Sequence, residues 1–120
     1  MLGGRIGLGM TNTLLLDQDP VLAEIVRRLV QEFSPARIFL FGSRARGDAG
    51  PDSDYDVMVV VTGPSGPRYK LAQSAQRVLW GISIGADVLF LSLSEFDEGS
   101  TVKCSLPATV LREGKELYAA

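Results

Sequence analysis

A small α+β domain, a mixed β-sheet with helices packed on it, is the fold class that this sequence predicts. Three observations carry the prediction. Apolar residues recur at helical spacing over 17–33 and 68–82. Short runs rich in β-branched and aromatic residues stand between and after them, at 37–41, 54–62 and 85–93. The chain has 120 residues, 46% of them hydrophobic and 22% charged, which suits one core in one domain.

The elements follow in order. Residues 1–16 read as an N-terminal extension, its first ten or so residues expected to be poorly ordered, and 17–120 as the single domain. Met10 offers an alternative start to Met1. In "DQDPVLAEIVRRLVQEF" Asp19 can cap a helix and Pro20 suits its first position. Val21, Leu22, Ile25, Val26, Leu29 and Phe33 then form its apolar face. "RIFLF" is a short buried strand, and residues 42–49 can form a short helix before "GPDS" breaks it. "DYDVMVVVT" reads as a central strand. "GPSGP" is a loop. "RYKLAQSAQRVLWGI" is a second long helix with Leu71, Ala75, Val78 and Leu79 on one face, and "GADVLFLSL" is a third strand. "SEFDEGS" can make a helical turn. "LPATVLREGKELY" reads as a short helix, a stop at Gly114 and a strand-like tail. Tyr55, Trp80 and Phe90 are expected to be core aromatics.

Composition removes several function classes. The chain has no histidine, which rules out Ser-His-Asp catalysis and His-ligated zinc. Its one cysteine, Cys104, can make no intrachain disulfide and has no imidazole base beside it, so a reducing, cytoplasmic setting is the expectation. The net charge of −2 gives no support for a dedicated nucleic-acid binder. No apolar run approaches the length of a membrane span, and the glycine-broken N-terminus lacks a clear signal-peptide cleavage site.

The chemistry concentrates in "FLFGSRARGDAGPDSDYDVMVVV", residues 39–61. On a strand, residues two apart share a face, so Asp54 and Asp56 project together while Tyr55 goes to the other side. Two crowded carboxylates repel unless a cation lies between them. Magnesium suits that task, because it takes oxygen ligands and readily shares a site with phosphates. Upstream, Gly42 lets the backbone pass close to a ligand. Ser43 opens the short helix, where N–H groups and a hydroxyl can meet an anion. Helical spacing places Arg46 on the face of Ser43 and turns Arg44 elsewhere, so Arg46 is the better phosphate contact of the two.

Gly42-Ser43, ten intervening residues and then Asp54-x-Asp56, set between two apolar strands, resemble the signature of the DNA polymerase beta-like nucleotidyltransferase superfamily. The chain is most similar to its minimal nucleotidyltransferases, single-domain proteins of bacteria and archaea. The match is close over 37–61 and extends in element order over 17–93. The resemblance implies a nucleotidyltransferase fold. It implies that Asp54, Asp56 and a third carboxylate, Asp87 in "GADVLFLSL", are catalytic and bind metal, Asp87 also helping to activate the acceptor hydroxyl. It places Gly42, Ser43, Arg46 and Arg44 at the nucleotide. The cofactor would be Mg2+ in a two-metal site, with Mn2+ able to replace it, and the substrate ATP. The minimal members resembling this chain act as antitoxins that adenylylate a tyrosine of a small helical HEPN-type toxin and block its RNase site. A partner of that kind would then complete the acceptor pocket, and self-association of the chain is compatible with this. Two other functions fit the same residues: an aminoglycoside-like small-molecule nucleotidyltransferase, and an antitoxin that inhibits by binding alone.

Overall fold

The fold is built around one strand whose side chains are almost all apolar. A computed structural model describes residues 13–50, 53–62, 67–82 and 84–120. They form α1 (Thr13–Gln18), α2 (Pro20–Phe33), β1 (Arg37–Phe41), α3 (Ser43–Arg46), β2 (Tyr55–Val61), α4 (Arg68–Val78), β3 (Ala86–Ser92), α5 (Leu93–Ser100), α6 (Leu106–Glu113) and β4 (Lys115–Ala119). The sheet order is β3-β2-β1-β4. β1 runs antiparallel to both β2 and β4, while β2 and β3 are parallel. Along β2 every residue except Asp56 is buried, as a central strand covered on both faces requires.

The two faces are filled by different helices. Val57 and Val59 pack with Leu22, Ile25, Val26 and Leu29 of α2 and Ala75 of α4. Met58 and Val60 pack with Phe39 of β1, Phe96 of α5 and Val110 of α6. Phe39 and Phe96 stack with ring centroids 5.2 Å apart, and the Arg37 guanidinium lies 4.7 Å from the Phe39 centroid while bonding Glu116. Alternation of side chains along β2 therefore puts Asp56 on the α5/α6 face and Tyr55 on the α2 face.

Sequence and structure differ in four places. Helix α1 starts at Thr13, within the stretch read as an extension, and Leu16 is buried in the core. The expectation for residues 1–12 lies outside the described residues. α4 ends at Val78, four residues short of the expected Ile82, with Gly81 at φ +89° turning the chain. Trp80 consequently lies in that turn rather than in the core, and is 84% exposed. Finally, α5 is a full helix, because Ser92 and Glu95 form a reciprocal capping box that satisfies two backbone N–H groups.

Asp19 ties α2 to β2. Its Oδ1 accepts from the Leu22 N–H at 3.1 Å and so caps α2, and its two carboxylate oxygens share the Tyr55 hydroxyl proton at 2.9 and 2.8 Å. Burial, reinforced by the bond to Asp19, pushes the Tyr55 pKa up to about 12. A raised folded-state value stabilises the chain below the unfolded tyrosine pKa of about 10 and ceases to do so as pH rises through the folded value. Thermal stability of the wild type is therefore expected to fall between about pH 10 and pH 12. Tyr55→Phe should lose about 1 kcal/mol at neutral pH and lack this alkaline contribution, as measured by melting temperature against pH.

Candidate active site

Three strand ends bring the chemistry together. The register pairs Phe41 with Asp56 across β1 and β2, and Asp56 with Asp87 across β2 and β3. Because β2 and β3 are parallel, both begin at the sheet end where antiparallel β1 finishes. Gly42, the residue after Phe41, thus lies beside Asp56, and Asp87 flanks Asp56 from the other side. Asp54, just before β2, lies against the start of β3: a Cβ on Gly85 would come within 3.0 Å of Asp54 Oδ1. Asp54 and Asp87 are exposed and Asp56 is half-buried.

Gly42 is required twice over. Its φ of +76° is strained for any residue with a side chain, and a Cβ there would stand 2.2 Å from Asp56 Oδ2. The missing side chain is the space into which the Asp56 carboxylate fits. Burial and the charges of Asp87 and Asp54 hold the Asp56 carboxyl above the usual aspartate pKa, and the positive charge of Arg46 partly opposes them.

The turn after Gly42 is held by backbone bonds. The Gly42 carbonyl accepts from the Ala45 and Arg46 N–H groups, and the Ser43 carbonyl from those of Gly47 and Asp48. Ser43 is therefore fixed at the start of α3, next to the glycine that faces Asp56. The two arginines part company. Arg44 donates from Nε to the Ser53 carbonyl at 2.8 Å, and its guanidinium lies 4.0 Å from the Tyr55 ring centroid. It clasps the segment carrying Asp54 from behind. Arg46 is 52% exposed, paired with Asp48 at 3.3 Å, and close enough to bias Asp56.

The donor set of Asp54, Asp56 and Asp87 consists of carboxylate oxygens alone, the chemistry of a hard divalent cation. As they stand, the side chains are not closed into a ligand cluster: among the described residues no three Asp, Glu, His or Cys groups form one. A cation would have to draw the carboxylates in by side-chain rotation. One part of the site had no local signal in the sequence. A cavity of about 210 Å3 beside Gly42 and Arg46 is completed by Thr109 and Glu113 of α6, some sixty residues further along the chain. Gly85 was legible only as the first residue of a strand.

The model of the nucleotidyltransferase domain matches residues 22–101, from α2 past the end of α5. The chain belongs to that family. Solved structures agree on the nucleotidyltransferase fold. A Sulfolobus solfataricus protein described as a nucleotidyltransferase is 27% identical with a TM-score of 0.54, covering 77% of this chain and 85% of its own. A toxin–antitoxin structure with AMP-PNP is 27% identical with a TM-score of 0.53, covering 82% of this chain and 73% of its own. A toxin–antitoxin MntA–HpeT structure bearing two Asp→Glu substitutions is 26% identical with a TM-score of 0.52 over the same shares. No curated protein matches the chain.

Three substitutions test this geometry. Gly42→Ala combines the strained φ with the collision against Asp56 and should cost about 1–3 kcal/mol or more. Gly47→Ala, at φ +85° with nothing within 4 Å of its would-be Cβ, should cost only about 1 kcal/mol, both read from denaturant midpoints. Asp56→Asn should leave the chain as stable as the wild type, or more so, at neutral pH. A raised carboxyl pKa means the charged form is penalised in the fold, so the wild type regains ground as pH falls and the difference should vanish below about pH 4.

Proposed function

We propose that this nucleotidyltransferase transfers AMP from ATP to a hydroxyl group with the help of Mg2+. The acceptor is a tyrosine of a helical, HEPN-type toxin, and the chain acts as its antitoxin. The observation that carries the catalytic reading is the row Gly42, Asp56, Asp87, in which a glycine opens space at a carboxylate that is itself paired with a second one. The partner reading is supported by similarity to toxin–antitoxin structures, one of them with a non-hydrolysable ATP analogue.

In this reading, Gly42, Ser43 and Arg46 hold the β- and γ-phosphates at the end of β1. A divalent ion held by Asp54, Asp56 and Asp87 would neutralise the triphosphate and draw electrons from the α-phosphorus. The phenol oxygen attacks that phosphorus, the bond to the bridging oxygen of the β-phosphate breaks, and pyrophosphate departs on the Gly42 side. The phenol proton passes to Asp87. A phenol suits this chemistry because it gives up its proton near pH 10, far more readily than an aliphatic alcohol. Arg46 steadies the leaving group, while Arg44 keeps the Asp54 segment in place.

With the partner protein, ATP and Mg2+, intact-mass spectrometry should show the partner gaining one or more AMP groups, with Asp56→Asn and Asp87→Asn each losing about two orders of magnitude in rate or more. A chelator should sharply weaken ATP binding. Arg46→Ala should weaken triphosphate binding by about 1 kcal/mol, given its solvent exposure. Arg44→Ala should act mainly on stability. A partner inhibited but unmodified would leave only a binding antitoxin, and one neither modified nor inhibited would point to a small-molecule acceptor.

A further inference from the structure

The two exposed aromatic side chains among the described residues stand on one face of one helix. Tyr69 is 61% exposed and Trp80 84%. Steps of four, three and four residues lead from Tyr69 through Gln73 and Gln76 to Trp80, which is the stripe along one side of a helix. The stripe runs along α4 and into the turn that continues it, where the Trp80 N–H donates to the Arg77 carbonyl at 3.3 Å. Ala72, Gln73, Gln76 and Arg77, between the aromatics, are exposed as well. With Trp80 they line an open, largely apolar cleft of about 850 Å3 between α4 and β3.

The exposure of Trp80 is built in. Arg28 donates from Nη1 to the carbonyls of Val78 and Trp80, at 3.0 and 2.9 Å, and is itself held by Glu24 through a 2.7 Å bond from Nε. Gly81, at φ +89°, then turns the chain back toward β3. The turn is thus pinned to α2, with its indole left outside. The charge on α4 is also one-sided: the helix carries Arg68, Lys70 and Arg77 and no acid. Arg68 is bound to Glu95 of α5, which leaves Lys70 and Arg77 to be accommodated by whatever covers this face.

We propose that a second copy of this chain covers the face, with the two α4 helices packed antiparallel about a two-fold axis. The residue order is self-complementary in that arrangement, as an isologous contact requires. With the axis midway between Gln73 and Gln76, Tyr69 of each copy falls opposite Trp80 of the other. Gln73 falls opposite Gln76, and each amide has both donors and an acceptor to offer. Lys70 falls opposite Leu79 and Arg77 opposite Ala72, so no cation meets a cation. Parallel helices would instead set Arg77 against Arg77. The second helix lies along the mouth of the cleft, which α4 itself leaves open. Burying Tyr69 and Trp80 supplies up to about 400 Å2, half of the roughly 800 Å2 that a stable interface takes from each partner. The exposed residues between them and the rim of the cleft supply the rest. The α5/α6 face, where Asp56 projects, stays open in both copies, so the pairing does not depend on the proposed AMP transfer.

Sedimentation of the full chain over a dilution series tests this. The wild type should sediment as a dimer and dissociate on dilution. Trp80 is the chain's only tryptophan, so its emission should move to longer wavelength over the same range. Trp80→Ala should weaken self-association about tenfold or more. Leu111→Ala, which alters an exposed apolar residue on α6, should leave it unchanged. A charge exchange tests the pairing itself. A chain with Gln73→Lys and Gln76→Lys should be monomeric, and so should one with Gln73→Glu and Gln76→Glu. The two mixed should form a one-to-one dimer, because opposite charges then face each other across the axis. A wild type that is monomeric at every concentration would overturn the proposal, and if a HEPN-type protein or single-stranded RNA then shifted the Trp80 emission, the face would belong to that ligand. A dimer that persists in the double-lysine chain would overturn it equally, by placing the interface elsewhere.

Discussion

The arrangement depends on one constraint: a carboxylate, Asp56, held at the mouth of a strand buried on both faces. Mixed strand direction makes this possible. Antiparallel pairing brings the finish of β1 to the start of β2, and parallel pairing sets the start of β3 beside it. A wholly antiparallel sheet would have placed the start of β3 at the far end, away from Asp56. The α4 crossover is what lets β3 run parallel, and its cleft lies beside the same strand. The row of carboxylates and the α4–β3 cleft are therefore two results of one topology.

Crowding like charges at a half-buried position opposes folding, and the surroundings offset it. Gly42 removes the steric part, since any side chain would collide with the carboxylate. Arg46 relieves part of the electrostatics. The opposite face of the same strand supplies positive stability: Tyr55 is buried against the α2 cap and bonded to Asp19, with Arg44 over its ring. Neighbouring residues of one strand thus do opposite work. Tyr55 fastens the strand mouth to the core, and Asp54 and Asp56 carry charge out of it.

Much of this was legible in the sequence because it is local. The spacing from Gly42 to Asp56, the alternation at Asp54, Tyr55 and Asp56, and the Asp19-Pro20 cap are all short-range patterns, and the structure has the same elements. Helical phase also separated Arg44 from Arg46. The errors arose where tertiary context decides. Trp80 continues the apolar pattern of α4, so periodicity placed it in the core; Gly81 and the Arg28 bonds, from a helix fifty residues earlier, end the pattern before it. Leu16 looked like the tail of an extension because six residues of helix have no periodicity to detect. The capping box at Ser92 and Glu95 was in the sequence and would have lengthened α5. The part played by Thr109 and Glu113 depends on how α6 packs beside Gly42, which no local pattern encodes.

The two cavities differ in size and in the elements that line them. The one beside Gly42 and Arg46 is small and sits on the carboxylate face, with Thr109 and Glu113 in its lining. The other is four times as large, opens on the opposite face and meets the row only at Asp87. A donor must be held by many fixed polar contacts, because its reacting bond has to be aligned before attack. The turn bearing the exposed indole is held instead by the Arg28 bonds to the carbonyls of Val78 and Trp80.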